Sequence, residues 1–239
     1  MKLTKLNDDS SWLWEFDSFS VLVDPWFTTH QVDLAPWFSK QRHFREQPQL
    51  ADLPPYNVIF ISHPFTDHCN KETLLQLPPD ILLIAAPNVL RKIKSWDHFK
   101  HLLPLDEAPF EITRITKASI WDLVHHAFLI KSRNTALLYA PHGLKQDLKA
   151  IKVDILIGTS TLFKLPFFLG GTINLGAEKL IEVAKICEAK LILNTHDEQK
   201  LGSGLVEVFA KKKYVTAHPS IRYIVRGECI EWPLILSNS

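Results

Sequence analysis

The chain has 239 residues, with 27 lysines and arginines against 26 aspartates and glutamates, a formal net charge of +1 and 46% hydrophobic residues. That balance leaves no basic footprint for nucleic acid, and the length suffices for one large domain with a real core, expected over residues 1–239. Three scattered cysteines, Cys69, Cys187 and Cys229, make neither a disulfide framework nor a thiolate zinc knuckle.

Compartment follows from the same reading. Met1 to Ser10 lacks the apolar core of a signal peptide, and no stretch approaches the roughly 18 uncharged apolar residues of a membrane span. The expectation is a soluble cytoplasmic protein with no stable membrane insertion.

Taken in chain order, strand-like runs alternate with short helical ones, an α/β pattern. Pro54 and Pro55 mark a turn into the apolar strand Val58–Ile61, and a helix is expected to begin near Asn70. Further strands are expected over 81–86, 111–116, 123–130, Thr135–Ala140, 153–157 and Leu191–Asn194. The clearest helix covers 176–189, with Leu180, Val183, Ala184 and Cys187 spaced to face a sheet and Glu178, Lys179, Glu182, Lys185 and Glu188 turned outward. Lys211-Lys212-Lys213 reads as a solvated helix end, and 214–232 as a terminal strand pair.

The chemistry concentrates where the strand Val58–Ile61 ends. His63, Asp67 and His68 fall in the loop at its end, the place where a rigid sheet holds functional side chains. Two imidazoles and a carboxylate within six residues are donors suited to zinc or a similar borderline cation. The alternative local reading makes His63 a strand-end cap, Asp67 the cap of the helix near Asn70 and His68 an exposed side chain.

The pattern His63, Phe65, Asp67, His68 resembles the His-x-His-x-Asp-His signature of the metallo-β-lactamase-fold hydrolases, with phenylalanine in place of one ligand. Residues Trp12 to Phe16 and Val21 to Pro25 resemble that family's first strand pair and its Asp-Pro turn. The similarity is to the branch of lactonases and phospholipid-cleaving phosphodiesterases, whose divergent members share an Asp-His-Cys such as Asp67-His68-Cys69. Pro141-His142-Gly143 resembles the Gly-Asp-Thr whose aspartate bridges two metals, so His142 stands in the bridging position. Leu191 to His196 resembles the late strand that delivers the last histidine, and His125 or His126 lies near the place of the remaining one.

The resemblance implies an α/β fold, the four-layer αββα sandwich, and a metal centre with an incomplete ligand set. Its first site keeps His63, with Phe65 and the His125 or His126 alternative in the other two places. Its second site keeps Asp67, His68, His142 and His196. One divalent ion, zinc, is therefore expected rather than two, because an imidazole offers one lone pair where a carboxylate offers two oxygens. The implied activity is hydrolysis of an ester-type bond, lactone or phosphodiester, by a metal-bound hydroxide, with Asp67 and His142 as catalytic groups. A catalytically inactive binding or scaffolding protein is the competing class, favoured by Phe65 and His142, and a nuclease is a third.

Two aromatic loops, Trp26-Phe27 with Trp37-Phe38 and Phe163 with Phe167-Phe168, read either as core closure or as an apolar pocket for a small acyl-bearing substrate. His30 and His43 lie in the first of these loops, as substrate contacts or as exposed surface histidines. Asp24 is expected to orient a ligand histidine, and Asp154 and Asp197 to cap backbone. Cys69 is either a soft ligand beside His68 or a small residue packing beneath the loop.

Overall fold

Val58–Ile61 is apolar and buried at all four positions, a state open to a strand only inside a sheet covered on both faces. The computed structural model describes residues 1–16, 18–115, 124–145 and 151–233. Two compact units organise them.

The first unit comprises the described residues of Met1–Thr28, Gln47–Pro109 and Val225–Ser239. Its seven-stranded sheet runs in the order Cys229–Glu231, Lys2–Lys5, Trp12–Phe16, Phe19–Val23, Val58–Ile61, Leu82–Ala85, His101–Leu103. The first four strands are antiparallel neighbours and the last three join by parallel pairing. Leu13, Leu22, Ile59 and Leu83 align across the sheet on one face, where Leu74, Val89 and Ile93 of the helices Lys71–Leu74 and Pro87–Lys94 cover them. Trp14, Val21, Val58 and Phe60 point the other way and are also buried. Each such side chain contributes about 1.5–3 kcal/mol by leaving water. The parallel register sets Val23 beside Phe60, so the two strands finish together and present Asp24 next to Ser62.

The helix at Lys71–Leu74 is capped by Asn70, whose side-chain oxygen accepts the Thr73 N–H at 2.9 Å. The capping role considered for Asp67 is therefore filled by another residue.

The second unit comprises the described residues of Thr29–Glu46 and Phe110–Ile224. Its five-stranded sheet has the order Leu191–Asn194, Ile155–Gly158, Thr135–Ala140, Ala127–Ser132, Glu111–Ile115. The helix Gly176–Ile186 lays Leu180, Val183 and Ala184 on one face of it, against Leu138, Leu156 and Ile192. The helix stops three residues short of the expected end, with Cys187 as its C-cap. Thr116 and Leu123, the outer ends of two expected strands, lie outside the described residues. Gly158 marks the close approach of helix and sheet: a Cβ there would stand 2.6 Å from Leu180 Cδ1 and 3.1 Å from the Ala140 carbonyl.

Two smaller sheets complete this unit, Thr172–Leu175 with Leu162–Lys164 and Lys211–Lys213, and Leu201–Ser203 with Ser39–Arg42 and His30–Asp33. The lysine run is thus a strand and not a helix end, because its pairing with Leu162–Lys164 takes up its backbone. Between 214 and 232 only Cys229–Glu231 is a strand, paired with Lys2–Lys5. No helix among the described residues is long and apolar enough to cross a membrane.

Candidate metal centre

In the first unit the strand ends converge on one buried carboxylate. Asp24, in the left-handed region at φ 46°, accepts the Ser62 N–H at 2.7 Å, the Ser62 hydroxyl at 2.6 Å and His68 Nδ1–H at 2.7 Å. With its proton committed to Asp24, the Ser62 hydroxyl accepts from His63 Nδ1 at 2.8 Å. Both histidines then carry their ring proton on Nδ1 and keep Nε2 as a lone-pair donor, a tautomer assigned from the hydrogen-bond network. Their rings lie 4.8 Å apart, and a carboxylate oxygen of Asp67 lies within 4.8 Å of a His68 ring nitrogen. The Asp67 carbonyl accepts the Ser10 hydroxyl at 2.7 Å, which ties the loop to the sheet.

In the second unit His142 follows the strand Thr135–Ala140. Gly143 turns the chain at φ 89°, and any side chain there would meet Leu175 at 2.9 Å. His142 Nδ1 lies 2.7 Å from Asn174 Oδ1, again leaving Nε2 as the outward donor. His196 follows the strand Leu191–Asn194 in a left-handed conformation, φ 59°, with its ring 4.9 Å from that of His142. Asp197 secures this backbone: its carboxylate accepts the N–H groups of Ser160 and Thr161 and the hydroxyls of Thr159 and Ser160, all between 2.7 and 3.1 Å.

Electrostatics single out His68. Burial lowers its pKa, but the Asp24 and Asp67 carboxylates and the hydrogen bond to Asp24 outweigh it, and the net shift is upward from the ordinary 6.5. A folded-state pKa above the unfolded one gives stability that is present below pH 6.5 and lost as pH rises through the raised value. A cation bound through His68 would have the opposite sign, since the imidazolium would have to release a proton. Zinc affinity, measured by competition with a chromophoric chelator, should fall as pH drops through a midpoint above 6.5, by about tenfold per unit for one proton.

The matching family model is the Beta-lactamase superfamily domain, over residues 2–196. The chain belongs to the beta-lactamase superfamily. Its fold is that of three solved relatives: isothiocyanate hydrolase from Delia radicum gut bacteria (TM-score 0.73, 16% identity, 97% of this chain and 99% of that one), a possible metal-dependent hydrolase from Veillonella parvula (0.65, 11%, 96% and 98%) and Igni18, a metallo hydrolase from Ignicoccus hospitalis (0.63, 14%, 96% and 97%). No curated protein matches the sequence. The α/β metallo-β-lactamase fold expected from the sequence is thereby established, one layer of helix on one sheet in each unit.

In this beta-lactamase superfamily chain the Phe65 ring stacks on His63, centroids 6.2 Å apart and planes 19° from parallel, so an apolar face lies against that imidazole. His126 Nδ1 accepts from Arg114 at 3.3 Å, which places its ring proton on Nε2 and makes that nitrogen a donor rather than a lone pair. Burial pushes the Cys69 thiol up to about 12, so it packs in the apolar cluster as a thiol. His43 is buried rather than exposed, its Nδ1 2.5 Å from Glu198, which also accepts the Phe44 N–H. The aromatic loops divide. Trp26 and Phe27 are core, whereas Trp37, Phe167 and Phe168 are 72%, 95% and 74% exposed.

Proposed function

We propose that this chain is a metal-dependent hydrolase that holds one divalent cation, zinc, on Asp67, His68, His142 and His196 and cleaves an ester-type bond, lactone or phosphodiester, in a small apolar or acyl-bearing molecule. The observation that carries the reading is the paired orientation of two histidines: His68 and His142 each commit Nδ1 to a buried oxygen, Asp24 and Asn174, and keep Nε2 to donate. Metal-binding histidines are oriented by such partners. The donors are nitrogen and carboxylate oxygen, the set that borderline cations prefer, with the neighbouring thiol kept protonated.

When bound, the ion supplies a Lewis acid and lowers the pKa of water to near 7. Asp67, His68 and His196 would hold it, and the one lone pair of His142, on Nε2, would serve either as the fourth ligand or as the group that accepts a proton from attacking water; a second oxygen of Asp67 is the other acceptor. His63 belongs to a second, weaker position that Phe65 leaves incomplete, as in the divergent lactonase and phospholipid-phosphodiesterase branch. We take 1–239 as one functional domain. Three free cysteines fit a reducing cytoplasm.

The Phe65 stack favours one competing reading, a degenerate centre retained for binding or scaffolding. Elemental analysis of protein purified without chelator separates the two, followed by turnover on lactones, phosphodiesters and, given the isothiocyanate hydrolase neighbour, an isothiocyanate. About one zinc per chain and turnover of an ester that improves with alkyl length are expected. A chain that stays metal-free after zinc addition sinks the proposal, and indifference to chain length removes its apolar-substrate part.

A further inference from the structure

The lysine run acquires a meaning from its pairing. Lys211–Lys213 lies antiparallel to Leu162–Lys164, with Lys213 opposite Leu162, Lys212 opposite Phe163 and Lys211 opposite Lys164. Directly paired residues share a face, and so do residues two apart on a strand. Lys164, Lys211 and Lys213 therefore stand on one face of this sheet, all exposed. Lys212 stands on the other, bonded to Glu207 and 5.6 Å from the Phe163 ring. Like charges directly opposite each other oppose strand pairing, yet this ladder sets Lys211 across from Lys164.

The same face floors a cleft of about 550 Å³, within the range of small-molecule sites. Lys164, Thr172 and Lys213 rise from the floor, and Glu178 and Lys179 enter from the first turn of the helix Gly176–Ile186. Glu178 is the one acidic residue of the lining among the described residues, 3.9 Å from Lys213 and almost wholly exposed. Lys179 pairs with Glu182, also at the surface, where ion pairing is weak. In a chain of net charge +1, Lys145, Lys164, Lys179 and Lys213 line one concave place against a single carboxylate among the described residues. A bulge between Phe163 and Lys164 brings Thr172 beside Lys164, and Asn174, the partner of His142, does not line the cleft. His63, His68, His142 and His196 are not among its lining residues, whereas His218 is.

We propose that this cleft binds a multiply charged phosphate, with Lys164 and Lys213 as its principal contacts and Lys211 beside them. Ammonium groups are point charges that suit phosphate oxygens. A bound anion turns the repulsion across the ladder into a shared attraction.

The probe is inorganic pyrophosphate, titrated by calorimetry into the protein as purified and after removal of metal with a chelator. Binding in both states, weakened at least about tenfold in Lys164→Ala and Lys213→Ala, is expected, since hydrogen bonds to charged groups carry that much. Lys131→Ala, a surface control on another sheet, should leave it unchanged. Without anion, Lys211→Ala should melt above the parent, and its gain in Tm on adding pyrophosphate should shrink. Absence of binding, binding only to the metal-loaded protein, or affinity indifferent to Lys164 and Lys213 each overturns the proposal. Equal affinity for orthophosphate and pyrophosphate at the same pH and ionic strength would overturn the preference for a multiply charged ligand.

Discussion

Alanine at His68 or at His196 is expected to leave the chain folded and nearly empty of metal, with hydrolysis reduced to background. Each change removes a nitrogen donor outright, so the loss of zinc affinity should exceed the roughly 10–100-fold that follows from removing a mere supporting partner. The two variants differ in what they expose. His68→Ala also leaves the buried Asp24 carboxylate without its imidazole partner and should cost stability besides. His196→Ala follows a strand whose other contacts remain, and Asp197 still anchors the neighbouring loop. Elemental analysis beside thermal unfolding reads both effects. Unchanged metal in both variants would remove these two side chains from the ligand set.

Asp24→Asn and Asp24→Ala should separate orientation from stability. The alanine variant strands the Ser62 N–H, the Ser62 hydroxyl and His68 Nδ1, three groups that now share one buried carboxylate. We expect a loss on the order of 3 kcal/mol, the scale of breaking a buried hydrogen-bonded charge. Alanine also tolerates φ 46° less well than aspartate or asparagine. Asparagine keeps the backbone and part of the hydrogen bonding, so its main effect should be a zinc affinity reduced about 10–100-fold. Denaturant titration measures the first loss and chelator competition the second. Full metal affinity in Asp24→Asn would show that His68 needs no such partner.

These expectations rest on residues of unequal visibility in the sequence. The strand Val58–Ile61 and its donor-rich loop could be read directly, because an unbroken apolar run and local ligand spacing are both contained in a dozen residues. The strand Leu191–Asn194 was legible from its apolar run, whereas His196 after it was singled out only through the resemblance to a family strand. The helix Gly176–Ile186 announced itself by period. Asn174 was invisible, since an asparagine 32 positions from the histidine it orients leaves no local pattern. The His43–Glu198 contact spans 155 positions and was equally hidden. Composition misled at the lysine run, where three charges suggested a solvated helix and cross-strand pairing made a strand. The aromatic loops looked alike on paper, and only tertiary packing separated core Trp26 from surface Phe167.

One backbone angle bears on whether this chemistry has been abandoned. At φ 59° the position of His196 would be more comfortable as glycine, and holding a side chain there costs on the order of 1 kcal/mol. A His196→Gly variant is therefore expected to fold at least as stably as the parent while lacking the ring nitrogen, so that any loss of bound metal in it is a loss of a donor and not of the fold.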